Sequence, residues 1–137
     1  MRDYSHNNLL KLHEVHETRN SIYFVVDFLE GGELFDILST KGSIGLVDAC
    51  MLMKQLLQGL EHLGSKGIVH RDIKPDNLIL RFKNKPLLQN EIVIVDFGLS
   101  SYVEGNTVVY KCGTPGYIAP ELLDQSSNVG SDKDKLI

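Results

Sequence analysis

Between Leu46 and Ser65 apolar side chains return every three or four positions, as Ala49, Leu52, Met53, Leu56, Leu57, Leu60 and Leu63. That period predicts an amphipathic helix with one wide apolar stripe. Ser43 is its candidate N-cap, although Gly45 lies close to the start, and Gly64 and Gly67 are expected to stop it. Elsewhere the pattern is that of strands. Residues 9–16 and 21–29 read as two strands around a turn at Glu17-Thr18-Arg19-Asn20, because Ser21-Ile22-Tyr23-Phe24-Val25-Val26 concentrates β-branched and aromatic side chains. Gly31-Gly32 breaks the second strand, and Glu33 to about Ser39 predicts a short helix presenting Leu34, Ile37 and Leu38. After the long helix come three short apolar runs: Ile68-Val69, Leu78-Ile79-Leu80, and Glu91-Ile92-Val93-Ile94-Val95, the last two separated by a turn at Asn84-Lys85-Pro86. From Gly98 to about Gly113 no period persists, which reads as a loop of switchable order, and the tail from Asp124 onward is polar.

Composition narrows the classes. The chain has 137 residues, 42% of them hydrophobic, which suits a packed soluble core. A net charge of −4, with no dense Lys/Arg run, leaves no electrostatic footprint for nucleic acid or a membrane surface. No apolar stretch is long enough to span a bilayer and the N-terminus has no signal core, so a cytoplasmic protein is expected. Cys50 and Cys112 stand in no metal-ligand spacing and read as ordinary thiols of a reducing compartment. His13 and His16, three apart on a strand, face opposite sides and cannot share a metal ion.

The chemistry lies in His70-Arg71-Asp72-Ile73-Lys74-Pro75-Asp76-Asn77, in Asp96-Phe97-Gly98 after a strand, and in Gly113-Thr114-Pro115-Gly116-Tyr117-Ile118-Ala119-Pro120-Glu121. Each motif alone is of moderate specificity; in this order and spacing they are strong. Moving a γ-phosphoryl group needs a hydroxyl held in line and the charge on the phosphate oxygens neutralised. Asp72 can accept the hydroxyl proton, and Lys74 can reach the transferring phosphate. Asn77 and Asp96 offer hard oxygen ligands from two loops, which suits Mg²⁺. Gly98 allows the backbone to turn at that corner, and Phe97 is the apolar neighbour whose packing decides where Asp96 points.

These motifs resemble the eukaryotic serine/threonine protein-kinase family over about residues 6–125, and the style of Glu30-Gly31-Gly32-Glu33-Leu34-Phe35-Asp36 resembles its calcium/calmodulin-dependent branch. The resemblance implies an α+β, partial protein-kinase-like fold, with 1–26 from the N-lobe, 27–32 as hinge, 33–125 as C-lobe and 126–137 as a polar tail. It implies ATP and Mg²⁺ as cofactors and a serine or threonine hydroxyl as acceptor, since Lys74 marks the serine/threonine kinases. Val26 would be the gatekeeper, the backbones of Asp27 and Leu29 would bond adenine, Glu33 would meet the ribose or a basic substrate residue, and Leu34 and Ile79 would pack beneath the ring. Leu12, His70 and Phe97 would belong to the regulatory stack, which makes His70 structural. His6-Asn7-Asn8-Leu9 is similar to the turn after the regulatory helix. In the activation segment Arg71 would clasp a phosphate; Thr107 is the nearest upstream threonine, Tyr110 stands where relatives carry one, and Thr114 would contact Asp72 and Lys74. Asp76, with Glu33, would read a substrate arginine, so the partner is a protein substrate basic around its acceptor. Calmodulin would engage only through segments outside this chain.

The sequence also departs from the family. No Gly-x-Gly-x-x-Gly precedes His6, no upstream lysine and regulatory-helix glutamate are present, and nothing after Glu121 resembles Asp-x-Trp-x-x-Gly. The span from Asn77 to Asp96 is longer than usual, which reads as an enlarged surface hairpin. Apolar surface on the long helix is therefore expected to stay uncovered, and activity of the chain by itself to be no more than trace. Two readings follow: the central piece of an active kinase, or a catalytically dead kinase-like binding and regulatory module. The intact Asp72, Asn77 and Asp96 favour the first.

Overall fold

The computed structural model describes residues 5–103 and 112–123. Two strands, β1 (Leu12–Glu17) and β2 (Ile22–Val26), open the chain as an antiparallel hairpin in which Glu17 faces Ile22 and Leu12 faces Val26, with a bulge between Leu12 and Glu14. Its turn is closed by Thr18, whose Oγ1 accepts from the Ser21 N–H at 3.1 Å. Both strands are shorter than the sequence pattern suggests: Leu9 and Leu10 leave the hairpin to pair elsewhere, and the chain beyond Val26 runs against another strand.

Helix α1 spans Leu34–Lys41, two residues past the expected end, and stops at Gly42, whose φ of 73° suits glycine. Helix α2 spans Leu46–Ser65 as its period predicts. The cap expected from Ser43 is absent: Gly45 holds the N-cap position without a side-chain bond, because Ser43 lies two residues too early to reach the first free N–H groups. Gly64 does not stop the helix either; it stays within the last turn, and the exit is made at Gly67, where φ is 68°. The buried line of α2 is Leu52, Leu56, Gly59 and Leu63. Met53 and Leu57, a third of a turn around, are exposed together with Leu46 and Val47, so the expected wide stripe is buried along one edge only.

Strand β3 (Ile68–Val69) follows, then a 3-10 turn at Pro75–Asn77, β4 (Leu78–Leu80), a second 3-10 turn at Leu87–Gln89, β5 (Ile92–Ile94), β6 (Ser101–Tyr102) and the short α3 (Pro120–Leu123). β3 pairs with β6, and β4 with β5 in the register Leu78 to Ile94 and Leu80 to Ile92, all antiparallel. The β4–β5 ribbon is the centre of the molecule. On its β5 side Leu10 N–H donates to Ile94 O and Ile94 N–H to Asn8 O; on its β4 side Gly31 N–H donates to Leu80 O and Leu80 N–H to Gly32 O. Segments 8–10 and 31–33 thus flank the ribbon like extra strands. Ile92, Val93 and Ile94 are fully buried, and Leu34 of α1, residues of α2 and Leu9 pack in one core with Ile92 and Ile94.

Three polar side chains make that packing possible by satisfying backbone groups the ribbon leaves free. Gln55 of α2 accepts from Ile92 N–H at 2.8 Å and donates to Asn90 O; Asn8 donates to Ile92 O at 2.8 Å and to Gln55. Asn90, buried, bonds both the N–H and the carbonyl of Phe82 and closes the β4–β5 connection. A buried donor or acceptor without a partner costs about 1–3 kcal/mol, which these residues avoid. The connection closes the β4–β5 hairpin, with Asn84 at φ 60° within it. Among the described residues no helix is long and apolar enough to cross a membrane, and Cys50 and Cys112 are free thiols.

Candidate active site

The loop between β3 and β4 is built on a buried imidazole. His70 Nδ1 accepts the Asp72 N–H at 3.3 Å, which assigns the proton to Nε2, and Nε2 donates to Val95 O at 2.9 Å. Burial holds this imidazole below its ordinary 6.5, against the opposite pull of the Val95 carbonyl, Asp72 and Asp96. Phe97 meets the ring edge-on with centroids 5.1 Å apart. His70 is thus a neutral bracket fastening the loop to the end of β5, which agrees with a structural part.

Asp72 sits above that bracket with only 7% of its surface exposed. Oδ1 accepts from Thr114 twice, from the hydroxyl at 2.7 Å and the N–H at 3.0 Å; Oδ2 accepts from Asn77 Nδ2 at 3.1 Å and lies 3.3 Å from Lys74 Nζ. Thr114 hydroxyl bonding, with help from Lys74, outweighs desolvation and holds the carboxyl below its ordinary value. Lys74 also donates to Thr114 Oγ1 at 2.8 Å. The loop and the Gly113–Thr114 turn, forty residues apart in the chain, are therefore tied through one carboxylate. Gly113 makes the approach possible: at φ 118°, a Cβ there would lie 3.0 Å from Arg71 O.

Asn77 gives one amide contact to Asp72 O at 2.9 Å and another to its carboxylate, so the atom left for a cation is Oδ1. Its own carbonyl accepts from Val95 N–H at 3.0 Å, which brings it beside Asp96. Asp96 takes the left-handed φ of 57°, a conformation aspartate tolerates better than most residues, and its Oδ1 accepts from Gly98 N–H at 3.1 Å. One carboxylate, on the exposed Asp96, and one amide oxygen, on the buried Asn77, fit the chemistry of Mg²⁺, which takes few protein ligands and completes its octahedron with water and phosphate. Among the described residues no group of three or more His, Cys, Asp or Glu gathers as a metal cage. His13 bonds Asp27 and His16 bonds Glu14, so the two histidines go separate ways.

The other expected positions are distributed around this centre. Val26 ends β2, Asp27 N–H donates to Lys11 O at 3.1 Å, and Leu29 is half-buried. Glu33 pairs across from Ile79 of β4, and Ile79 is half-buried while Leu34 is buried in the core behind it. Asp76 stands in the 3-10 turn against which α1 packs. Arg71 has φ 69°, uncommon for arginine, and its Nε bonds Leu99 O. Thr107 and Tyr110 lie outside the described residues.

One side chain escaped the sequence reading. Arg81, just after β4, sends Nη1 to Asp27 Oδ2 at 3.0 Å, Nε to Glu91 Oε2 at 2.7 Å and Nη2 to Asn7 O at 2.8 Å. Burial alone would push the Asp27 carboxyl up, but hydrogen bonds from Arg81 and His13 outweigh it and hold the group low. The one hint in the sequence was an arginine set directly against an apolar strand.

The sequence profile described as the protein kinase domain matches residues 1–135. Calcium/calmodulin-dependent protein kinase type 1B of Homo sapiens is 44% identical over 125 residues, 91% of this chain and 36% of that protein. Type 1 of Caenorhabditis elegans is 38% identical over 125 residues, 91% of this chain and 35% of that protein. Myosin light chain kinase A of Dictyostelium discoideum is 40% identical over 136 residues, 98% of this chain and 44% of that protein. The chain thus spans less than half the length of these relatives. With a profile match along nearly all its length and a relative 44% identical over 91% of it, this chain belongs to the protein kinase domain family.

Proposed function

We propose that this chain carries the phosphoryl-transfer centre of a protein serine/threonine kinase, with residues 27–32 as the hinge between 1–26 and 33–125. The observation that carries the reading is the single carboxylate of Asp72 held by Thr114, Asn77 and Lys74 at once. A carboxylate offers about four lone-pair sites, and here all are approached by donors. An incoming serine or threonine hydroxyl must therefore displace one, and the Lys74 contact, at 3.3 Å the longest, is the one that yields. Lys74 is then released toward the phosphate oxygens while Asp72 takes the hydroxyl. Because Asp72 is held below the ordinary carboxylate range, it is a weak base whose main task is orientation, with proton uptake late in the transfer.

Asn77 Oδ1 and Asp96 would hold Mg²⁺, which when bound with ATP neutralises the charge on the phosphates. The edges of Asp27 and Leu29 would meet the adenine, with Val26 and Ile79 lining its slot. Glu33 and Asp76, placed on neighbouring elements, would select a protein substrate with arginine near its acceptor. Calcium/calmodulin dependence, which the names of the type 1B and type 1 kinases attach to those proteins, would be the corresponding regulation of the whole protein. The free thiols suit a cytoplasmic setting.

The test is phosphate transfer from ATP to an arginine-containing serine peptide by the natural full-length gene product. Transfer should require Mg²⁺, spare the matched tyrosine peptide, and fall about 10²–10⁴-fold in Asp72→Asn with nucleotide affinity kept. Equal transfer by Asp72→Asn, or nucleotide binding with no transfer to any peptide, would overturn the reading, the second outcome favouring a binding module.

A further inference from the structure

We infer that Arg81 is a positioning residue for the nucleotide, clasping the hinge from below so that its adenine-facing edge is already set before ATP arrives. The inference rests on the hinge reading above.

Segment 27–32 has no helix or strand of its own, yet two of its residues are held by Arg81, while Leu80 holds Gly31 and Gly32. The Arg81 guanidinium grips the Asp27 carboxylate at 3.0 Å, and three residues on the Arg81 carbonyl accepts the Glu30 N–H at 3.2 Å. The same guanidinium reaches Asn7 O, in the turn that precedes β1, and Glu91 beside β5. Arg81 N–H completes the set by donating to Glu91 O at 2.8 Å. Three segments distant in sequence, at 7, 27 and 91, therefore meet on a side chain that is 22% exposed. The Asp27 side of this contact is equally sheltered, at 21%, and is braced from the hairpin by His13 at 2.7 Å.

Few other side-chain contacts could do this work. Every residue of β2 is exposed, so the hairpin is not anchored by burial. The guanidinium matters for its fork: three N–H groups in one plane address three acceptors in different directions, which a lysine ammonium on a flexible stem cannot hold together. With the Asp27 carboxylate clasped and its N–H bonded to Lys11 O, the group left to a ligand on that residue is its carbonyl. A pre-set edge lowers the ordering cost of binding and leaves the transfer chemistry, on the other side of β4, unchanged.

The experiment compares wild type, Arg81→Met, Arg81→Lys, Asp27→Asn and the Arg81→Met/Asp27→Asn pair in the natural full-length gene product. Affinity for Mg-ATP is read by calorimetry, and amide exchange at Asp27 and Glu30 by mass spectrometry. Arg81→Met should weaken nucleotide binding about three- to tenfold and speed exchange at both amides, with kcat at saturating ATP unchanged. Arg81→Lys should recover only part of the loss, and the double variant should be no worse than Arg81→Met, since the Arg81–Asp27 contact that Asp27→Asn weakens is already lost in Arg81→Met. Unchanged affinity in Arg81→Met, additive losses in the pair, or a higher kcat at unchanged affinity would each overturn the proposal. Should Arg81→Met fail to fold, Asp27→Asn with Arg81→Lys decides it by the same readings. A wild-type protein that binds no nucleotide would instead remove the hinge reading itself.

Discussion

The β1–β2 hairpin and the β4–β5 ribbon are both antiparallel pairs with one strand rich in β-branched residues, Ile22–Val26 and Ile92–Ile94, and the fates of those strands are opposite. Ile22-Tyr23-Phe24-Val25-Val26 is exposed throughout, while Ile92-Val93-Ile94 is wholly buried. The difference does not lie in strand propensity, which both satisfy. It lies in what covers them: α2 supplies Leu52, Leu56 and Leu63 to the ribbon and Gln55 to its free backbone groups, and among the described residues nothing comparable meets the hairpin. The chemistry follows the same division. Asp72, Lys74, Asn77 and Asp96 all hang from the ribbon or the loop before it, whereas the adenine edge proposed at 27–29 continues the hairpin.

The contrast is most sharply tested at two isoleucines. Ile92→Ala, at 1% exposure, should cost about 2–4 kcal/mol because it opens a cavity in the packed centre. Ile22→Ala, at 58% exposure, should stay within about 0.5 kcal/mol. Urea unfolding of each variant measures both, and comparable losses would mean that the hairpin is as well covered as the ribbon.

A smaller effect probes where the two regions join. A Cβ on Gly31 would lie 2.5 Å from the Leu80 carbonyl oxygen and Cβ, so Gly31→Ala must push segment 27–32 off β4, at about 1–3 kcal/mol. Next to it, Gly32→Ala meets open space and bears only the strain of φ 80°, about 1 kcal/mol. Melting shifts of equal size would show that the close approach at Gly31 is not what limits the join.

The smallest effect is on pH. Burial depresses the His70 pKa, so the unfolded chain takes up a proton first; stability is full above about 6.5 and falls as pH drops toward the folded-state value. The slope is bounded at about 1.4 kcal/mol per pH unit for one group. His6, also lowered by burial and by His62, adds in the same direction. Melting temperature followed from pH 7 to pH 5 should therefore fall less in His70→Gln than in wild type. An identical fall would place the titration elsewhere.

Much of the site was readable because it is local. His70 through Asn77 lies within eight residues, and the ribbon needs only a hairpin to bring Asp96 beside Asn77. Helix α2 was readable from its period, although only rotation about its axis reveals that Met53 and Leu57 stay outside. Arg81 was not readable, because its partners at Asn7, Asp27 and Glu91 are set by the path of the backbone and not by any spacing. Gln55 and Asn90 hid for a related reason: a polar residue serving distant peptide groups looks in sequence like one facing water. Ser43 misled because a capping residue type carries no information about the register in which the helix begins.

The connection between β4 and β5 has a practical consequence for anyone wishing to label or extend this molecule. Lys83, Asn84, Lys85 and Pro86 are open to solvent, whereas Leu87 and Asn90, only a few positions on, are sealed into the interior. A fluorophore or a spliced tag belongs at the first four positions, and the same graft at Leu87 or Asn90 would pry the core apart.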